Sequence, residues 1–170
     1  MVTLKLGIPA DAELIADISR QTFYETFAAQ NSKKNIDKFM NEVFTRAELI
    51  KEVGVPGNIF YLAYEDDVPL GYVRMRENSY QKEPANSAAL EIARIYVLAT
   101  AIGKGVGKAL MQQCIQTAKE RNCDTLWLGV WEHNEKAIRF YKKWGFEKFS
   151  THTFMLGDDA QTDWLMKKEL

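Results

Sequence analysis

Three glycines fall within five positions in Gly103-Lys104-Gly105-Val106-Gly107, between the apolar stretch Arg94–Leu98 and an amphipathic one that opens at Lys108. Residues without a β-carbon leave backbone N–H groups unhindered. At the start of a helix the first of these groups lack intrahelical acceptors, and the positive end of the peptide dipoles lies there too. That combination binds phosphate, and Lys104 and Lys108 add charge beside it. A tight turn alone needs one glycine, so three argue for an anion.

The spacing narrows the choice of phosphate compound. A Walker-type loop fails, because Gly103 stands only four residues before Gly107 and Ala109, which has no hydroxyl, follows Lys108. A dinucleotide fingerprint needs Gly-x-Gly-x-x-Gly, and the chain offers Gly-x-Gly-x-Gly. No Ser-His or Cys-His arrangement accompanies the run. His133 and His152 are isolated in the sequence and read as structural or solvent-facing. Cys114 and Cys123 have neither metal nor disulfide spacing and read as reduced, buried thiols. No metal cluster is expected.

The elements around the run follow from periodicity. Val2–Ile8 alternates in polarity and predicts a strand; Pro9-Ala10-Asp11 opens a helix through about Phe27, with Leu14, Ile15, Ile18 and Thr22 on one stripe. Ile36, Phe39, Met40, Val43 and Phe44 recur at helical spacing, and a short helix from Arg46 stops near Gly54-Val55-Pro56-Gly57. Asn58–Glu65 and Val68–Glu77 flank Asp66-Asp67 as a hairpin. Tyr80–Ser87 reads as a polar loop, and Ala88–Leu98 as a long apolar strand. Beyond the glycines come a helix over Lys108–Asn122, a strand over Asp124–Trp131 and a helix over Asn134–Trp144. Strands over Phe146–Leu156 and Thr162–Lys168 close the chain. The expectation is an α/β (or α+β) fold in one domain, 1–170: a twisted, mixed, mostly antiparallel sheet with helices on both faces.

Composition bounds the partners. With 170 residues and 46% apolar content the chain suits one domain with a full core. Its formal net charge of −1 points to neither nucleic acid nor an anionic membrane. The opening Met-Val-Thr-Leu-Lys-Leu lacks the apolar core of a signal peptide, and no apolar run has membrane length, so a cytoplasmic protein is expected.

Ala89–Val97, Ile102–Leu110 and Asn134–Tyr141 with Trp144-Gly145-Phe146 together resemble the GNAT superfamily of acyl-CoA-dependent N-acetyltransferases. The resemblance is strong over residues 88–156 and consistent in element order before them. Leu128–Glu132, Phe154–Asp158 and Gln161-Thr162-Asp163 are similar to the PaiA-type polyamine acetyltransferases.

The resemblance implies a role for each matching position. The backbone of Ile95, Tyr96 and Val97 would pair with the pantetheine arm of acetyl-CoA, and the N–H groups of Gly103, Lys104, Gly105, Val106, Gly107 and Lys108 would hold its pyrophosphate. Asn134 would hydrogen-bond the cofactor, a role compatible with its being a helix N-cap. Tyr141 would be the general acid that protonates the departing thiolate. Two positions depart from the family: Ile102 replaces a usual Gln or Arg, and Ala93 occupies the place of a frequent glutamate. Glu91, two residues earlier, becomes the candidate base, although a salt-bridged strand carboxylate is the simpler reading.

Attack would be direct, without a covalent enzyme intermediate. The acceptor site would be built by the N-terminal half, about 1–87, where Phe23, Tyr24, Glu25, Phe27 and Tyr80 offer an aromatic and acidic lining for a cationic amine. A polyamine such as spermidine is the first expectation; an aminoglycoside, a protein N-terminus or an amino acid stays open. A homodimer is common among such proteins. A non-catalytic acyl-CoA-binding or sensor module and a general nucleotide-binding domain are the competing classes.

Overall fold

The computed structural model describes residues 1–77 and 88–170; the loop expected over Tyr80–Ser87 lies outside the described residues. Among the described residues seven strands form one sheet: β1 (Thr3–Leu6), β2 (Asn58–Glu65), β3 (Val68–Arg76), β4 (Ala89–Val97), β5 (Thr125–Trp131), β6 (Glu147–Leu156) and β7 (Asp159–Glu169). Their spatial order is β1-β2-β3-β4-β5-β7-β6. Every neighbouring pair is antiparallel except β4 with β5.

Among the described residues five α-helices accompany the sheet: α1 (Ala12–Phe27), α2 (Lys33–Glu42), α3 (Arg46–Glu52), α4 (Val106–Glu120) and α5 (Glu135–Lys143). Local chemistry sets their starts. The hydroxyl oxygens of Ser32 and Thr45 accept from the amides of Asn35 and Glu48, each at 3.2 Å, and so cap α2 and α3. In the β2–β3 hairpin both turn residues, Asp66 (φ 48°) and Asp67 (φ 63°), are left-handed, as a two-residue primed turn requires.

The core divides across the sheet. On one face Leu90, Ile92, Leu126 and Leu128 pack with Leu110, Met111 and Cys114 of α4 and with Tyr141 and Phe146. On the other, Phe23, Ile36, Phe39, Met40 and Phe44 form one cluster, and Ile15, Ile18, Phe60, Leu62 and Tyr72 another. Helices thus cover both faces, as expected. Val43 leaves the predicted stripe: it lies just past the end of α2 and is exposed.

Two departures bear on the site. Ala93 is an extra residue in β4, since Arg74 pairs with Arg94 and Met75 with Ile92. This bulge reverses the strand's alternation. Leu90 and Ile92 before it, and Ile95 and Val97 after it, all pack in the α4 cluster. The last strand also begins earlier than Thr162. Leu156 pairs with Asp159 across a two-residue turn in which Gly157 has φ +60°.

Candidate active site

Strands β4 and β5 begin as partners and then part. They pair from Ala89 with Thr125 to Ile92 with Leu128, after which β4 runs on to Val97 and β5 to Trp131 without pairing. The bulge at Ala93 stands where pairing ends. Over Arg94–Val97, β3 serves one edge of β4 and leaves the other facing the gap. A cavity of about 670 Å3 occupies this splay, and Ile95, Tyr96, Val97, Gly129 and Trp131 line it.

The glycine turn closes one end. Gly103 (φ +86°) and Gly105 (φ +83°) hold a conformation that side-chain-bearing residues adopt at a cost, and a β-carbon at either would meet open space. The amide of Lys104 donates to Ala101 O at 3.2 Å, and Gly105 O accepts from Ala109 as α4 begins. Among the described residues the amides of Gly103, Gly105, Val106, Gly107 and Lys108 have no acceptor. They form a cradle of orphaned donors at a helix start. Lys104 and Lys108 are exposed beside it, and so is Ile102.

Asn134 and Tyr141 face the same cavity. The Asn134 side-chain oxygen caps α5 by accepting from the Ala137 amide at 3.3 Å, which leaves its amide nitrogen for a ligand. Tyr141 is buried, its hydroxyl has no hydrogen-bond partner among the described residues, and burial pushes its pKa well above the ordinary phenol value. The phenol therefore stays protonated and able to donate. Phe140 packs edge-on against Tyr141 and Trp144, as its place in the helix suggests.

Other expected residues sit differently. Glu91 is buried and ion-paired with Arg76 (Nη2–Oε2, 2.7 Å), and it is not among the residues lining the cavity. Phe23 and Phe27 do line it, whereas Tyr24 is exposed away from it. Glu25 accepts from the Ala99 amide at 2.8 Å and lines an adjoining cavity with Thr26, Trp131 and Lys136. Tyr80 lies outside the described residues. His133 is solvent-facing.

His152 is not isolated. It stands directly opposite Asp163 on the β6–β7 ladder, with Nε2 and Oδ2 3.9 Å apart, and Asp163 lines the cavity. Glu52, Arg74, Arg94 and Gln161 also reach the cavity, and the sequence assigns a role to none of them. Their signal in the sequence is position: Arg74 and Arg94 are charged residues inside largely apolar strands.

The sequence matches the acetyltransferase (GNAT) family model over residues 15–146, most of the chain. The chain belongs to the GNAT family. Among relatives of this GNAT domain, an uncharacterized N-acetyltransferase in the pepI 3′ region of Lactobacillus delbrueckii subsp. lactis is 41% identical over 158 residues, 93% of this chain and 91% of its own. A spermidine N(1)-acetyltransferase of Thermoplasma acidophilum is 24% identical over 169 residues, 97% of this chain and 94% of its own. Of solved structures, the PaiA N-acetyltransferase of Thermoplasma acidophilum in complex with coenzyme A superposes with a TM-score of 0.80. It covers 100% of this GNAT chain and 99% of its own at 20% identity, a likeness of fold.

Proposed function

We propose that the chain transfers an acetyl group from acetyl-CoA to a primary amine by direct attack. The observation that carries this reading is the cradle of unpartnered amides at Gly103 and Gly105–Lys108, set beside a strand edge left open by the splay of β4 from β5. In that reading the cradle holds the pyrophosphate and the backbone of Ile95, Tyr96 and Val97 pairs with the pantetheine arm. The Asn134 amide nitrogen adds a donor. With no polar side chain at Ile102, phosphate binding rests on the backbone and on Lys104.

Acetyl-CoA supplies an activated thioester, and the chain's side chains handle protons. An ammonium has no lone pair, so a base must first take its proton. Asp163, lining the splay and facing His152, is placed to receive it, directly or through water. Glu91, held by Arg76 outside the cavity, is the weaker candidate. At the other end of the reaction the Tyr141 hydroxyl donates to the sulfur that leaves. A protonated phenol and a carboxylate in one cavity favour an enzyme over a sensor module of the same fold.

The aromatic wall of Phe23, Phe27, Tyr96 and Trp131 suits a cationic amine, and the Thermoplasma relative is named for spermidine. Arg74 and Arg94 line the same cavity and would repel a second cationic group, so a polyamine is the weaker acceptor. The test is release of free coenzyme A thiol from acetyl-CoA across a panel of amines. Amine-dependent release is expected, and coenzyme A binding without turnover of any amine would point to the sensor instead.

A further inference from the structure

Glu52, Arg74 and Arg94 form a charge cluster on the cavity wall. Glu52 is shared: its Oε1 accepts from Arg74 Nη1 at 3.2 Å and its Oε2 from Arg94 Nη2. The two arginine side chains are only 12% and 11% exposed. The other donors of Arg74, Nε and Nη2, both turn to the neutral Oδ1 of Asn58, at 3.3 and 3.1 Å. Arg94 lies over the Phe44 ring, 5.3 Å from its centroid, and its Nη1 has no hydrogen-bond acceptor among the described residues. The buried Tyr72 hydroxyl, likewise without a hydrogen bond, lies close enough to interact with Arg94.

Two buried cations therefore share one anion. Burial, and then repulsion from Arg94, lowers the Arg74 pKa to about 10, whereas Arg94 is held above its ordinary value despite its burial, so the poorly compensated charge is that of Arg74. While water fills the cavity it screens the surplus. A substrate that displaces this water leaves the surplus charge against Phe23, Phe39 and Phe44, which is unfavourable unless the substrate brings an anion. A second ammonium at this wall adds repulsion instead.

We propose that the acceptor is a small amine bearing a carboxylate, of the amino-acid or short-peptide class. Its carboxylate is held at Arg74 and Arg94, and its amine is directed to the splay beside Asp163. The inference rests on the N-acetyltransferase reading and adds the acceptor's charge pattern. Arginine suits this role because its planar fork matches a carboxylate.

The test compares matched pairs, each amino acid against its own carboxamide, with spermidine alongside, by thiol release from acetyl-CoA. The expected result is a kcat/KM at least tenfold higher for the acid of each pair. Arg74→Met should erase that preference by raising KM for the acid, and Arg74→Lys should keep part of it. A thermal shift with coenzyme A checks that each variant is folded. If Arg74→Met fails that check, the wild-type comparison decides alone. Carboxamides or spermidine used as well as the acids, a preference surviving in folded Arg74→Met, or no turnover of any acid would overturn the proposal. No thermal shift of the wild-type chain with coenzyme A would instead sink the acetyltransferase reading itself.

Discussion

Asp163 Oδ2 and His152 Nε2 lie 3.9 Å apart across the β6–β7 ladder, and the same carboxylate oxygen is 3.7 Å from the place a β-carbon on Gly129 would occupy. Gly129 is the first residue of β5 beyond its last pair with β4. The carboxylate is therefore poised at the point where the sheet opens. Its replacement separates chemistry from binding. Asp163→Asn should lower kcat by about 100-fold, the usual scale for a lost general base, with coenzyme A affinity unchanged. His152→Gln, which removes the imidazole facing Asp163, should have a smaller effect. Steady-state kinetics checks both, and equal losses in kcat and coenzyme A affinity would argue for a structural role.

Tyr141→Phe keeps the ring and removes the donor. The expected outcome is a drop in kcat of about 10- to 100-fold with coenzyme A binding retained. Because burial raises the phenol's pKa, the wild-type rate should hold through pH 10, about where an ordinary tyrosine loses its proton. A pH–rate profile with an alkaline limb below pH 9 that persists in Tyr141→Phe would assign the limb to another group.

Buried Cys114 gives a stability prediction. Burial raises its thiol pKa in the folded chain, while the unfolded chain titrates at about 8.5. The folded state then binds more protons in alkali, so stability is full below about pH 8.5 and declines as pH rises above it. Urea denaturation at pH 7, 9 and 10 should show this decline, and Cys114→Ala should flatten the part between pH 8 and 10 despite a lower starting stability. An unchanged slope in the variant would remove Cys114 as its source.

Removing the shared carboxylate strands two buried guanidiniums. Glu52→Ala should cost about 3–5 kcal/mol, the range for breaking a buried ion pair. Chemical denaturation measures it, and a loss under about 1 kcal/mol would show that water already compensates the pair.

Most of the fold is legible because its elements are long and regular in period. The stripe Ile36, Phe39 and Met40 is buried as helical spacing requires, and Glu65 pairs with Val68 across the expected Asp66-Asp67 turn. The glycine turn is legible too, since few residues other than glycine hold φ +86° and +83°. The charged end of the cavity is not. One inserted residue at Ala93 reverses the faces of β4, a slip from Leu90 and Ile92 to Ile95 and Val97 that reading the strand as continuously apolar conceals. The His152–Asp163 pair is hidden by a late start assigned to the last strand. With Gly157-Asp158 as the turn, His152 and Asp163 each lie four residues from the Leu156–Asp159 pair and must face each other. Glu52 meets Arg74 and Arg94 only through tertiary packing of α3, which no local pattern encodes.

The cradle itself can be watched directly by titrating nitrogen-15-labelled protein with coenzyme A and following the backbone amide resonances. Large, saturable shifts are expected at Gly103, Gly105, Val106, Gly107 and Lys108, complete at one equivalent, as their free N–H groups acquire phosphate acceptors. Those resonances standing still while coenzyme A binds elsewhere, or failing to move at any concentration, would contradict phosphate binding there.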